Sequence, residues 1–219
     1  MGKKVAVIHT SFVSVEDLKK LFNELVPEVK MINIIDDSLL DEVMSSGGLT
    51  EGVTKRICSY AVTAESMGVD AILNQCSSVG EAVDTARKMI KIPYVKIDEP
   101  MAEEAVRIGG RISVIATVAT TMNPSVRLIE HMAEKKNKKV EIKKHLVDGA
   151  LDILLKEGNR KKHNDMVLDT INKAAEESDV IVLAQGSMII LLPHLTHIKV
   201  PILSSLRSGV LQLRQVLNL

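Results

Sequence analysis

The chain has 219 residues, 46% of them apolar, and its 28 basic residues balance 28 acidic ones. That is enough apolar material for a core in one large domain or two compact ones, and it excludes a disordered chain. With no net charge, nothing global pulls the molecule towards nucleic acid or an anionic membrane surface.

Only four residues are aromatic and none is Trp. The core therefore falls to Ile, Val, Leu, Met and Ala, and few rings remain to stack on bases or a flavin; the expected ligand is small and non-aromatic. Two cysteines, Cys58 and Cys76, make no disulfide framework. The N-terminus runs straight into a strand-like segment, and an apolar run such as Met188 to Leu192 is far too short to cross a bilayer. Together these features predict a cytoplasmic protein with reduced thiols.

Short, β-branched runs predict strands over 4–9, 29–35, 70–75, 92–97, 111–117, 139–146, 179–184 and 199–204. Helical spacing separates most of them. Over 49–67 it is carried by Val53, Ile57, Ala61 and Ala64, with Gly68 as the stop, and over 163–177 by Val167, Ile171 and Ala174. A last helix carries Leu206, Val210, Leu213 and Leu217 on one stripe. Strand–helix–strand alternation implies an α/β fold with parallel sheets.

The sequence also repeats itself. Residues 4–10 (KVAVIHT) align with 111–117 (RISVIAT), Leu73–Ser78 with Leu183–Met188, and Ile92–Tyr94 with Val200–Ile202, at offsets of 107, 110 and 108. Matches that keep their order at a nearly constant offset predict two similar lobes, each a parallel sheet of about four strands flanked by helices. The first lobe is expected to take residues 1–98 with 205–219, and the second 99–204.

In parallel sheets ligands gather beyond the carboxyl ends of the strands. Four loops there are rich in small hydroxyl and amide residues: His9-Thr10-Ser11, Asn74-Gln75-Cys76-Ser77-Ser78, Thr117 to Thr121, and Gln185-Gly186-Ser187. Two facing lobes would bring all four to one cleft and form a carboxylate cradle. The expected substrate-binding residues are Thr10, Ser11, Asn74, Ser77, Ser78, Thr117, Thr120, Thr121, Gln185, Gly186 and Ser187. The competing reading makes these hydroxyls helix caps, and Ser78 with Glu81 has the spacing of a capping box. Cys76 follows a buried-looking strand and precedes a helix, a position expected to lower a thiol's pKa. Cys58, mid-helix beside Ile57, reads as packing.

The order of these motifs resembles the aspartate/glutamate racemase superfamily, with its hydantoin racemases, maleate isomerases and arylmalonate decarboxylases. It runs from Thr10 through Asn74-Gln75-Cys76-Ser77-Ser78, Ile92-Pro93 and Glu99-Pro100 to Ala116–Thr121. The stretch Leu183–Met188 is similar to the hydantoin-racemase-like branch, and the resemblance spans essentially the whole chain. It implies two pseudo-symmetric, flavodoxin-like lobes, no cofactor and no metal. It also implies a small carboxylate substrate, a thiol at Cys76 moving the proton α to that carboxylate, and a homodimer, since relatives are often dimers. The superfamily's racemases place a second thiol in the other lobe; the repeat puts Gly186 there, and glycine carries no proton. A racemase or isomerase is the leading expectation. A single-thiol decarboxylase or lyase is the alternative, and a non-catalytic carboxylate binder is the rival from outside enzymology.

Other signals read as structure. His194 and His197 have a metal-ligand spacing but no accompanying acid or thiol, and are expected on a surface helix. His9 reads as a satisfied structural histidine. Lysines 135, 136, 138, 139, 143 and 144 are expected on a solvated face, and Ser45 to Thr50 is read as either a loop over the cleft or a connector.

Overall fold

The computed structural model describes residues 2–219, apart from the side chain of Leu155. The chain divides into two units, one comprising residues 1–99 and 206–219, the other residues 100–205. In the first, β1 (Lys4–His9), β2 (Lys30–Ile35), β3 (Ala71–Asn74) and β4 (Tyr94–Lys96) form one parallel sheet in the order β2-β1-β3-β4. In the second, β5 (Arg111–Ala116), β6 (Glu141–Leu146), β7 (Val180–Leu183) and β8 (Ile202–Ser204) repeat that order as β6-β5-β7-β8. All eight predicted strands are present, and the expected α/β class with two parallel four-stranded sheets holds.

Sequence pattern explains the rank of each strand. The central strands have no solvent face: Val5 to Ile8, Ala71 to Asn74 and Val180 to Leu183 are fully buried, as strands covered on both sides must be. The edge strands β2 and β6 alternate with polar residues such as Lys30, Asn33, Lys143 and His145, and stay partly exposed.

Helices cover the faces of the first sheet. In α1 (Val15–Leu25), Leu18 and Phe22 turn inward. In α3 (Glu51–Ser66), Val53, Ile57, Cys58, Ala61 and Ala64 are buried, and Cys58 sits in the core beside Ile57, as expected of a packing residue. The α3 start is set by Thr50, whose side chain accepts from the Val53 N–H, and Gly68 follows the helix with φ of 68°. Between α2 (Ser38–Ser45) and α3, residues 46–50 form a connector. In α4 (Gly80–Ala86), Ala82, Val83 and Ala86 close the core under β3.

In the second unit α5 (Glu99–Ile108), α6 (Ala119–Lys135), α7 (Ala150–Lys156) and α8 (Arg160–Ala175) play the same part. Met101, Val106, Val126 and Ile129 pack with β5 and β7, while Val167, Ile171 and Ala174 pack on the other side. The segment expected to carry His194 and His197 on a surface helix is instead a 3₁₀ helix, Gly186–His194, followed by a turn. Pro193 and the apolar run Met188–Leu192 favour short, tight turns there. Both histidines are exposed, and His197 Nε2 bonds Asn172 Oδ1 at 2.8 Å.

The last helix, α9 (Ser205–Leu217), follows β8 but belongs from Leu206 onward to the first unit. Its predicted stripe of Leu206, Val210, Leu213 and Leu217 is buried. Arg214 donates to the Leu25 carbonyl at 2.9 Å, and Arg207 pairs with Glu24.

Candidate active site

Register places three strand ends of the first unit side by side. Ile8 of β1 pairs with Asn74 of β3, and Asn74 pairs with Lys96 of β4. The chain emerging from each end therefore supplies one segment of a common crest: His9 to Ser14, Gln75 to Ser78, and Ile97 to Glu99. Thr10, Asn74, Ser77 and Ser78 are buried there, with Ser11 and Cys76 partly exposed. The predicted first-unit residues are thus brought together.

Local bonds fix that crest. Asn74 Nδ2 donates to the Cys76 carbonyl at 2.8 Å, which folds the chain sharply after β3. Ile97 N donates to the Asn74 carbonyl at 3.0 Å, carrying the β3–β4 pairing one residue past the strand. His9 Nε2 donates to Asn33 Oδ1 at 2.9 Å, which leaves Nδ1 as a buried acceptor without a partner. Burial holds the His9 pKa below its ordinary value, so the ring is neutral at pH 7. The expectation of a structural histidine is met on one nitrogen only.

Two readings of the Cys76 loop are corrected. Ser78 is not the residue before a helix. A 3₁₀ turn begins at Ser77, so Cys76 occupies the preceding position and Ser78 lies inside the turn. The thiol is also not shifted downward. Burial pushes it above its ordinary value, and the nearby Asp98 charge adds to this. The Thr10 hydroxyl and the N–H and hydroxyl of Ser78 act the other way. The reason burial wins is geometric: the turn is three residues long and α4 only seven, too short for a strong positive end. Cys76 as a residue keeps part of its surface open, but its sulfur lies in a dense surround.

Asp98 was not anticipated. It is 3% exposed, and burial raises its carboxyl pKa against the pull of the Ser77 hydroxyl and of Lys96. Oδ1 has no partner. The sequence carries a signal for it, an acidic residue immediately after the buried run Tyr94 to Ile97 and next to the Glu99-Pro100 motif. Glu99 is structural: Arg87 grips its carboxylate at 2.8 and 2.7 Å, while Lys96 Nζ pairs with Asp84 at 2.7 Å.

In the second unit the predicted residues cluster on the corresponding strand ends of β5 and β7. Thr117 N donates to Gln185 Oε1 at 3.1 Å, which leaves Gln185 Nε2 as a buried donor without a partner. Thr120 Oγ1 is likewise buried and unpartnered, and Thr121 is buried. Gly186 is partly exposed and Ser187 exposed. Among the described residues, no group of three or more His, Cys, Asp or Glu side chains is arranged to hold a metal ion. No helix is long and apolar enough to cross a membrane.

Each of the two parallel α/β units carries polar loops at its strand ends, and the first bears a partly exposed thiol and a buried carboxyl there. The chain belongs to the Asp/Glu/hydantoin racemase family, whose model matches residues 2–213. Solved structures agree on the fold. Allantoin racemase from Klebsiella pneumoniae is 20% identical, with a TM-score of 0.72 over 99% of this chain and 89% of that one. Glutamate racemase from Francisella tularensis subsp. tularensis SCHU S4, in complex with D-glutamate, is 14% identical, with a TM-score of 0.75 over 99% and 81%. Picrophilus torridus aspartate racemase is 16% identical, with a TM-score of 0.69 over 98% and 94%. No curated protein matches the chain. The resemblance drawn from the motif order is therefore correct, and so is the expectation of an enzyme of the racemase class.

Proposed function

We propose that the chain is a cofactor-independent racemase or isomerase that moves the proton on the carbon next to a small carboxylate, with Cys76 as its acid–base group. The observation that carries this reading is the placement of Cys76. Its sulfur meets the Thr10 hydroxyl and the Ser78 N–H and hydroxyl at the crest of a parallel sheet, in a chain of this family. A thiol raised by burial holds its proton at neutral pH, and giving up that proton is favoured only when the site supplies compensating donors.

The difficult species is the enediolate formed when the α-proton leaves. Fixed hydrogen-bond donors stabilise it by about 3 kcal/mol for each well-placed group. Thr10, Ser11, Asn74, Ser77 and Ser78 in the first unit are the proposed donors, with Thr117, Thr120, Thr121, Gln185, Gly186 and Ser187 in the second. Gln185 Nε2 and Thr120 Oγ1, buried and without protein partners, are the best prepared of the second set. The proposed substrate is a small carboxylate, a cytoplasmic location suits free thiols, and a homodimer follows family habit.

Gly186 favours a second reading. A racemase must address both faces of the carbon, and glycine at the repeat-equivalent of Cys76 supplies no proton. A decarboxylase or lyase needs only one delivery. The two readings separate in heavy water. Glutamate, aspartate, allantoin and substituted malonates are incubated with the protein, and the α-position is followed by NMR. Racemisation gives deuterium with inversion; decarboxylation gives carbon dioxide and one deuterated enantiomer. Cys76→Ala is expected to lower either rate by about 10²- to 10⁴-fold while keeping ligand affinity. Retained turnover in that variant sinks the assignment, and binding without turnover in the parent chain leaves a carboxylate binder.

A further inference from the structure

Asp98 stands where Cys76 stands, one strand over. Asn74 and Lys96 are register partners on β3 and β4, and each residue in question lies two positions past its partner. The Ile97–Asn74 backbone bond holds the two chains together along the way. Asp98 is 3% exposed, takes the Ser77 hydroxyl, and keeps Oδ1 free of any protein donor. Ser77 is the residue that follows Cys76. A buried carboxyl half supplied with hydrogen bonds, set beside a thiol, is an unusual thing for a core to retain.

We propose that Asp98 is a positioning residue that sets the protonation state of Cys76, the two sharing a single negative charge. The inference rests on the reading of Cys76 as the acid–base group. Two adjacent buried acids do not both ionise cheaply, so their protons come off as a pair. While the charge sits on Asp98, the thiol keeps its proton and serves as an acid. When a proton moves to Asp98, Cys76 becomes a thiolate and serves as a base. Asp98 takes its proton from water and Cys76 gives its own to water, so atoms and charge balance with no other reactant. One sulfur can then act in both halves of a reaction on one face of the carbon, which suits a chain with glycine at its second thiol position.

The other charged and polar groups around the pair are accounted for. Lys96 lies against Asp98 but is paired to Asp84, and Glu99 is held by Arg87. On the sulfur side stand Thr10 and Ser78, which carry no charge. His9, at the neighbouring strand end, is neutral and bonded to Asn33.

The test is the pH profile of Cys76 alkylation by iodoacetamide, read on the Cys76 peptide by mass spectrometry with the buried Cys58 as internal reference. Asp98→Asn removes the charge, so the midpoint moves down by about one unit and alkylation at pH 7 rises about threefold, since a more acidic thiol is also a weaker nucleophile. Asp98→Glu keeps the charge, and its midpoint stays with the parent's. A midpoint unmoved or raised in Asp98→Asn overturns the proposal, as does an equal shift in both variants. If Asp98→Asn does not fold, Asp98→Ser removes the same charge and is read the same way. The readout needs no turnover: a shifted profile in an inactive chain would remove the proposed reaction and leave the pair standing.

Discussion

The two units are alike at the feet of their sheets and unlike at the crests. At the foot of the first, Asp70 precedes β3 and accepts from the Lys4 N–H at 2.8 Å and from Lys3 Nζ at 3.1 Å. At the foot of the second, Asp179 precedes β7 and accepts from the Gly110 and Arg111 N–H groups at 2.9 and 2.8 Å and from the Arg111 side chain. The same clamp ties the same pair of strands twice. At the crests the repeat pairs His9 with Ala116, Cys76 with Gly186 and Asp98 with Leu206. At each of these three positions a titratable group meets a residue that cannot titrate, although Leu206 itself belongs to the first unit. The sheet order and the foot clamps recur in both units, whereas His9, Cys76 and Asp98 have no titratable counterparts at these offsets.

Gly186→Cys tests that division most severely. On the single-thiol reading, in which the second crest supplies no acid, a thiol there provides one, and α-proton exchange with retention turns into exchange with inversion. The expected gain in inversion is on the order of a hundredfold, the usual worth of a placed acid–base group. The measurement is optical rotation of the substrate alongside deuterium uptake. A parent chain that already inverts as fast as it exchanges would break the comparison, because the second unit would then hold an acid other than a thiol.

The sequence made the scaffold legible and left the electrostatics hidden. Strands with β-branched cores, such as Val5 to Ile8 and Val180 to Leu183, declare themselves by local pattern, and the offset near 108 declares the duplication. The state of Cys76 does not follow from its neighbours in the chain. It depends on how dense its surround is and on Asp98, which lies 22 residues away and reaches it only through the β3–β4 register. The Asp70 and Asp179 clamps are not legible locally either, since a lone Asp ahead of a strand is common in turns. The 3₁₀ helix over Gly186–His194 was hidden because an apolar run of that length fits several local structures.

A second asymmetry is in packing. The helix after β4, α5, brings Met101 into the core of the second unit, where it is 3% exposed. The helix after β8, α9, has Gly209 at the repeat-equivalent place, and a methyl group there would overlap the backbone of Ile97. One helix enters with a long side chain and the other permits none, because α9 approaches the segment that carries Asp98. Gly209→Ala is expected to cost about 1–3 kcal/mol through forced displacement, and Tm falls by about 2–4 °C for each kcal/mol in a chain of this size. The Cys76 alkylation profile should move with it, since Ile97 adjoins Asp98. An unchanged Tm would show that α9 yields without disturbing β4, and would weaken the link between this helix and the crest.

The smallest expected effect tests the likeness rather than the difference. The Asp179 carboxyl is drawn down to about 2 by Arg111 and two backbone N–H groups, and Asp70 is lowered by the Lys4 N–H and Lys3. A carboxylate whose folded pKa lies below its unfolded value near 3.8 binds fewer protons when folded. Its contribution is therefore present above pH 4 and is lost as pH falls towards 2. Both side chains are about a third exposed, so solvent screens them in part and the contribution is modest. Asp70→Asn and Asp179→Asn should each lower Tm slightly at pH 7 and by similar amounts, with the difference from the parent shrinking below pH 4. Matched losses would support equivalent feet. A loss confined to one variant would show that only one clamp matters to folding, and the duplication would then be one of shape without shared energetics.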